Sequence, residues 1–140
     1  MIRLTRRYRF SAAHRLHAPA LSEADNGALY GKCNNPFGHG HDYVLEVSVR
    51  GPLDPATGRA ADVGALDGLV RREVLEPLDH QDLNSGVPAF AAAVPTAENI
   101  AIEIRARLAR QWPRAFPGDW PRLDRIRIYE TKRNRFDLYG

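Results

Sequence analysis

Two stretches of alternation, residues 3–14 and 39–50, constrain this chain most, because each has an apolar face with histidine at its end. In the first, Leu4, Tyr8, Phe10, Ala12 and His14 share one side, and Thr5, Arg7, Arg9 and Ser11 the other. In the second, His39, His41, Tyr43, Leu45, Val47 and Val49 oppose Asp42, Glu46, Ser48 and Arg50. Period-two alternation is the mark of a half-buried strand. Arg6 interrupts the first apolar side. If the two strands pair antiparallel, the His14 end of one meets the His39 end of the other. Three imidazoles then converge at one edge of a sheet.

Between the strands, residues 17–38 are dense in turn residues (Pro19, Asp25-Asn26-Gly27, Gly31, Asn34-Asn35-Pro36) and read as one long loop. A loop of that length in a small domain is usually functional or disordered. Gly51 to Gly58 ends the second strand in a turn. Leu66, Leu69, Val70 and Val74 predict a helix over 65–76, stopped by Pro77. Residues 86–95 read as loop. Thr96 then fits an N-cap, and Glu98 in the first turn complements the helix dipole. Ile100, Ile104 and Leu108 form the stripe of a second helix that ends before Pro113. Ile126, Ile128 and Glu130 share a face of a late strand, and residues 136–139 add a fourth. Strand, strand, helix, helix, strand, strand implies an α+β domain: a four-stranded antiparallel sheet with two helices on one face. The 140 residues suit a single domain, 1–140.

The histidines suggest chemistry. Residues i and i+2 of a strand point the same way, so His39 and His41 project together across the small Gly40. With His14 they form a three-nitrogen set with an open position, which favours zinc over calcium or magnesium. His17 lies past the strand end and reads as a loop residue. Cys33 is the only cysteine, so no intramolecular disulfide is possible. A lone cysteine is usually a small buried hydrophobe, but Gly31-Lys32-Cys33-Asn34-Asn35-Pro36 reads as loop, and Lys32 favours the thiolate. Asp79-His80, after the helix stop, is either a surface pair or a proton relay. Glu130, in register with isoleucines, is either solvated at a strand end or an anchor for a polar ligand edge.

Composition narrows the classes. The net charge of +3 is mild and its arginines are scattered. No nucleic-acid motif is present, and no apolar run is long enough to span a membrane. Met1-Ile2-Arg3-Leu4-Thr5-Arg6-Arg7 has charge but no apolar stretch after it, so no secretory leader is expected and a cytoplasmic protein is.

Phe10-Ser11-Ala12-Ala13-His14-Arg15-Leu16, Gly31 to Tyr43 with its Cys-Asn-Asn-Pro-Phe-Gly-His-Gly-His core, Pro77-Leu78-Asp79-His80, Thr96-Ala97-Glu98-Asn99 and Tyr129-Glu130-Thr131 closely resemble the 6-pyruvoyl-tetrahydropterin synthase family. The resemblance covers nearly the whole chain, in order. It implies the tunnelling fold, in which three subunits close a barrel and two trimers stack into a homohexamer. It implies that His14, His39 and His41 hold zinc and that Cys33 is the catalytic base. Asp79 and His80 are then its partner pair, Glu130 anchors the pterin, and Glu98 and Thr96 lie near the ring pocket. The implied substrate is 7,8-dihydroneopterin triphosphate, carried with magnesium and converted to 6-pyruvoyl-tetrahydropterin with loss of triphosphate. Lys32, Arg15, Lys132 and Arg133 are candidates to meet the phosphates. Ala97, where animal members usually have a second threonine, and the basic Lys132-Arg133-Asn134-Arg135 segment depart from the family pattern. A paralogous family, the 6-carboxytetrahydropterin synthases of queuosine synthesis, uses the same substrate and releases acetaldehyde as well. Its cysteine usually sits closer to the His-Gly-His, so the longer spacer here favours the pyruvoyl enzymes. A non-catalytic zinc and pterin binder is the remaining alternative.

Overall fold

A computed structural model describes all 140 residues. Strands β1 (Ile2–His14) and β2 (His39–Gly51) pair antiparallel along their whole length, from Ile2 opposite Gly51 to His14 opposite His39. The expected meeting of the histidine ends is therefore realised at the backbone. Between them lies more structure than the sequence suggests: helix α1 (Glu23–Tyr30) and a 3-10 turn (Gly31–Asn34). Ser22 caps α1 by accepting from the Asp25 N–H at 3.1 Å, with Glu23 and Asp25 in the first turn. This helix has no apolar stripe. Its one buried residue is Asn26, whose amide bonds Ala18 N–H and the carbonyls of Ala18, Leu21 and Ser22.

Helix α2 (Val63–Val70) is capped by Asp62 and continues through a π-helical segment (Arg71–Leu75) into α3 (Glu76–Leu78). Pro77 therefore does not stop the helix where the sequence predicts. Proline lacks the N–H that would bond the carbonyl four residues back. Here that carbonyl, Glu73 O, accepts from Arg107 Nη1 at 3.4 Å. The widened π turn lies just before the proline, as helix irregularities often do. The connector after it supplies a two-residue strand, β3 (Gln81–Asp82), parallel to β1 at Ala12 and Ala13. Two short turns follow, α4 (Leu83–Gly86) and a 3-10 segment (Pro88–Ala91). Helix α5 (Ala97–Ala115) is capped by Thr96, which accepts from Asn99 N–H at 3.2 Å, and it runs through Pro113 rather than ending before it. Pro113 and Ala109 are exposed, so the unbonded Ala109 carbonyl is left to water. Strands β4 (Arg122–Tyr129) and β5 (Arg135–Tyr139) complete a sheet ordered β3-β1-β2-β4-β5. The four antiparallel strands are those expected, with the short parallel β3 as an addition.

Leu66, Leu69, Val70 and Val74 on one helix and Ile100, Ile104 and Leu108 on the other bury against Phe10, Tyr43, Leu45, Val47, Ile126 and Ile128 in one core. Full burial of such side chains is worth about 1.5–3 kcal/mol each. Arg6, the apparent break in the apolar face, forks onto Asp67 of α2 at 2.8 and 3.2 Å, and the Tyr8 hydroxyl donates to the same carboxylate. The other sheet face is polar. Its centre is Glu46, buried beneath Arg7, Arg125 and Arg127. No helix is long and apolar enough to cross a membrane.

Candidate metal and catalytic site

The site lies where β1 ends and β2 begins. His14 is fully buried, and its Nδ1 donates to the Pro95 carbonyl at 2.9 Å. Pro95 is held there by the Thr96 cap and by Asn99, whose side chain donates to the Val94 carbonyl at 2.8 Å. With Nδ1 protonated, Nε2 carries the lone pair, and it is buried without any partner. A buried polar atom left unpaired calls for an explanation, and a metal ion fits an imidazole oriented from behind by a carbonyl.

His41 stands edge-on to His14 with ring centroids 4.8 Å apart, and His39 packs against His41 at 4.7 Å. Burial, then the neighbouring histidines, push the His41 pKa down to about 4, and burial lowers His14 as well. Both are therefore neutral near pH 7, which is the ligating form. The donor atoms of His14, Cys33 and His41 lie within 4.8 Å of one another and form a group able to hold a metal ion. His39 is adjacent but outside that trio.

Cys33 reaches the site because its loop is pinned to the chain after β1. Leu16 N–H donates to the Cys33 carbonyl at 2.7 Å, and Asn34 Nδ2 donates to the Leu16 carbonyl at 2.7 Å and to His17 Nδ1 at 3.1 Å. Arg15 Nε closes on the Asn34 carbonyl, while Asn84 bonds both backbone groups of Arg15. Gly38 (φ 82°) lets the loop return over His14, whose carbonyl oxygen would sit 3.3 Å from a β-carbon there. The Cys33 sulfur lies 3.9 Å from His41 Nε2. Burial, then the Glu130 charge, push the thiol pKa up, so the expected lowering by Lys32 does not prevail in the metal-free protein.

Glu130 follows the last residue of β4 and is half-buried. Burial, then Glu98 at the start of α5, push its carboxyl up, and His39 opposes them. Glu130 thus feels the charges of both Glu98 and His39. Thr96 spends its hydroxyl on the helix cap. Asp79 and His80 lie elsewhere around the β1 end. Ser11 N–H donates to Asp79 Oδ1 at 2.8 Å, and His80 N–H to the Ser11 carbonyl at 2.6 Å. His80 has a left-handed backbone (φ 58°), its Nε2 is 3.5 Å from Asp79 Oδ2, and its side chain is 82% exposed. It makes no hydrogen bond to Cys33 within the chain. A cavity of about 490 Å³ runs beside Ser11, Asp42 and His80, and another of about 470 Å³ beside Arg7, Arg9, Glu130 and Lys132. Both are bounded by Gly40, His41 and Asp42. A larger cavity, about 660 Å³, is at the opposite end of the strands, between Pro52–Asp62 and Ala115–Pro121. It contains none of these groups.

The model of the family described as 6-pyruvoyl tetrahydropterin synthase matches residues 3–140. The chain belongs to that family. A 6-pyruvoyl tetrahydrobiopterin synthase from Poecilia reticulata is 44% identical over 94% of this chain and 85% of its own. The one from Homo sapiens is 41% identical over 94% and 86%. The structure of the Caenorhabditis elegans 6-pyruvoyl tetrahydropterin synthase superposes with a TM-score of 0.88, at 38% identity, covering 99% of this chain and 95% of that one. A Rickettsia conorii 6-carboxy-5,6,7,8-tetrahydropterin synthase is more distant, 29% identical over 94% of this chain and 95% of its own. The chain is thus a pterin synthase with the tunnelling fold. Its positioning residues Asn34, Asn84, Pro95 and Tyr43, whose hydroxyl lies 3.3 Å from His14 Nδ1, escape sequence reasoning. Asn34 and Pro95 show there only as loop formers, and Tyr43 only as core.

Proposed function

We propose that residues 1–140 act as one catalytic domain converting 7,8-dihydroneopterin triphosphate to 6-pyruvoyl-tetrahydropterin with loss of triphosphate, at a zinc held by His14, His39 and His41. The observation that carries the zinc reading is the buried, unpartnered His14 Nε2 beside neutral His41 and the Cys33 sulfur. Nitrogen and sulfur donors of this kind suit zinc. Zinc bound there supplies Lewis acidity, polarising the substrate's side-chain hydroxyls and acidifying the neighbouring C–H bonds.

The protein's own groups do the rest. Cys33, as thiolate, takes a proton from the substrate side chain. Glu130 accepts the amino and ring N–H groups of the pterin, with Glu98 beside it, and Thr96 holds the helix start that orients His14 through Pro95. Asp79 fixes His80, which returns a proton elsewhere on the substrate. Because His80 is exposed and unbonded to Cys33 in its own chain, the pair is read as serving a site completed by another copy. Two free sheet edges, β5 and the part of β1 before Ala12, and a polar face with a buried glutamate support closure into a trimeric barrel and a homohexamer. Arg15, Lys32, Lys132 and Arg133 remain candidates for the triphosphate, which arrives with magnesium as part of the substrate. The protein is expected to act in the cytoplasm.

The test is mass spectrometry of products from zinc-loaded protein with 7,8-dihydroneopterin triphosphate and magnesium. A 6-pyruvoyl product with free triphosphate is expected. A 6-carboxy product with acetaldehyde would move the chain to the queuosine branch, and absence of turnover would favour a pterin-binding protein.

A further inference from the structure

We propose that in the substrate-free protein the Cys33 sulfur is itself a ligand of the metal, closing the site as a fourth donor until substrate displaces it. This rests on the zinc reading above and goes beyond it, since there the thiol acts only on substrate. The first observation is geometric. The donor atoms already gathered within 4.8 Å are those of His14, His41 and Cys33, and it is His39 that stands outside. A thiolate sulfur and an imidazole nitrogen sharing a tetrahedral zinc lie about 3.6 Å apart, from bond lengths of about 2.3 and 2.0–2.1 Å. Cys33 Sγ and His41 Nε2 lie 3.9 Å apart before any ion draws them together.

The second observation is independent of the cysteine. His14 Nε2 is fully buried and has no partner, so a ligand is called for at that point whatever Cys33 does. The backbone that carries the sulfur is held in place as well. The Cys33 carbonyl is fixed by Leu16 N–H, and the next residue is fixed by Arg15 and by its own amide on Leu16.

The bonding balances without an oxidant. The S–H bond breaks, its proton leaves to solvent, and the sulfur lone pair forms the bond to the metal. When substrate enters, that bond breaks and the electron pair stays on sulfur, so the base is delivered as thiolate beside the C–H bond it must open. Four protein ligands make a closed, structural type of site and three an open, catalytic one. The site would be closed by its own base at rest and opened only by substrate.

The full-length protein is stripped of metal and loaded with Co2+ alone, and the metal content and near-ultraviolet spectrum are recorded. We expect one cobalt per chain with a sulfur-to-cobalt charge-transfer band, absent from Cys33→Ser and Cys33→Ala although both still take up cobalt. Saturation with 7,8-dihydroneopterin, which has no triphosphate to lose, should remove the band while the metal stays. Zinc should slow iodoacetamide labelling of Cys33 by about tenfold or more. Stoichiometric cobalt with no such band, a band that survives dihydroneopterin, or labelling indifferent to zinc would each overturn the inference. Failure to take up any cobalt would instead overturn the metal reading itself.

Discussion

Asn34→Ala should cost turnover while leaving metal binding intact. Asn34 Nδ2 donates to the Leu16 carbonyl at 2.7 Å and to His17 Nδ1 at 3.1 Å, so both its hydrogens are used. Removing two such bonds costs about 1 kcal/mol each, with more for a carbonyl left unpaired on the buried Leu16. A loss of about 2 kcal/mol corresponds to a fall in Tm of roughly 6 °C for a domain of this size. The larger effect is on chemistry. The pinned segment carries Cys33, and a shift of about 1 Å in a reacting group costs on the order of a hundredfold in rate. The expected result is a kcat lowered by about ten- to a hundredfold with KM little changed and metal content equal to the parent's, since no histidine is touched. Asn34→Asp keeps the shape but loses both donors, and it should behave the same way. Melting, steady-state kinetics and metal analysis read the three quantities. A kcat within about threefold of the parent's would refute the claim that this amide positions the thiol.

The metal-free protein should lose stability on mild acidification. His41 falls to about 4 and His14 is also lowered, mainly by burial, from an ordinary value of 6.5. Between the folded and unfolded values the unfolded chain binds more protons, so stability is lost as pH falls from about 7 toward 5, above the carboxylate range. Melting in chelator should show a lower Tm near pH 5 than near pH 7.5, and His41→Gln should shrink the difference; an equal or higher Tm at the acid end contradicts this. Gly38→Ala forces a β-carbon into a left-handed residue (φ 82°) and within 3.3 Å of the His14 carbonyl. It should destabilise by about 1–2 kcal/mol, and an unchanged melting curve would argue against tight seating of the loop on His14. Glu130→Gln removes a charged acceptor, so kcat/KM should fall by roughly ten- to a hundredfold. Unchanged kinetics would remove Glu130 from the pterin pocket.

The strands were legible because their alternation is strict: Leu45, Val47 and Ile126 report a buried face from spacing alone, and the histidine ends follow from the same period. Helix α1 was hidden because its single buried residue is Asn26, and polar bonding to Ala18 and Leu21 leaves no hydrophobic period to read. Pro77 and Pro113 misled because tertiary partners or solvent satisfied the carbonyls they orphan, through Arg107 in the first case. The type of each candidate residue was visible, but its surroundings were not. Nothing in the spacing says that Pro95 orients His14, that Asn84 grips Arg15, or that burial and Glu130 hold the Cys33 thiol protonated. Those partners lie 69 to 97 positions apart in sequence, and only folding brings them together.

The central claim is that the orphaned His14 nitrogen is a zinc ligand at the end of the β1–β2 pair. Anomalous diffraction from crystals of the zinc-loaded protein, recorded on both sides of the zinc edge, tests it most directly. The account predicts one strong peak per chain about 2.0–2.1 Å from the Nε2 atom of His14, with His39 and His41 completing the imidazole set. A map with no peak at His14, or with zinc held elsewhere while His14 Nε2 stays unpaired, would contradict it.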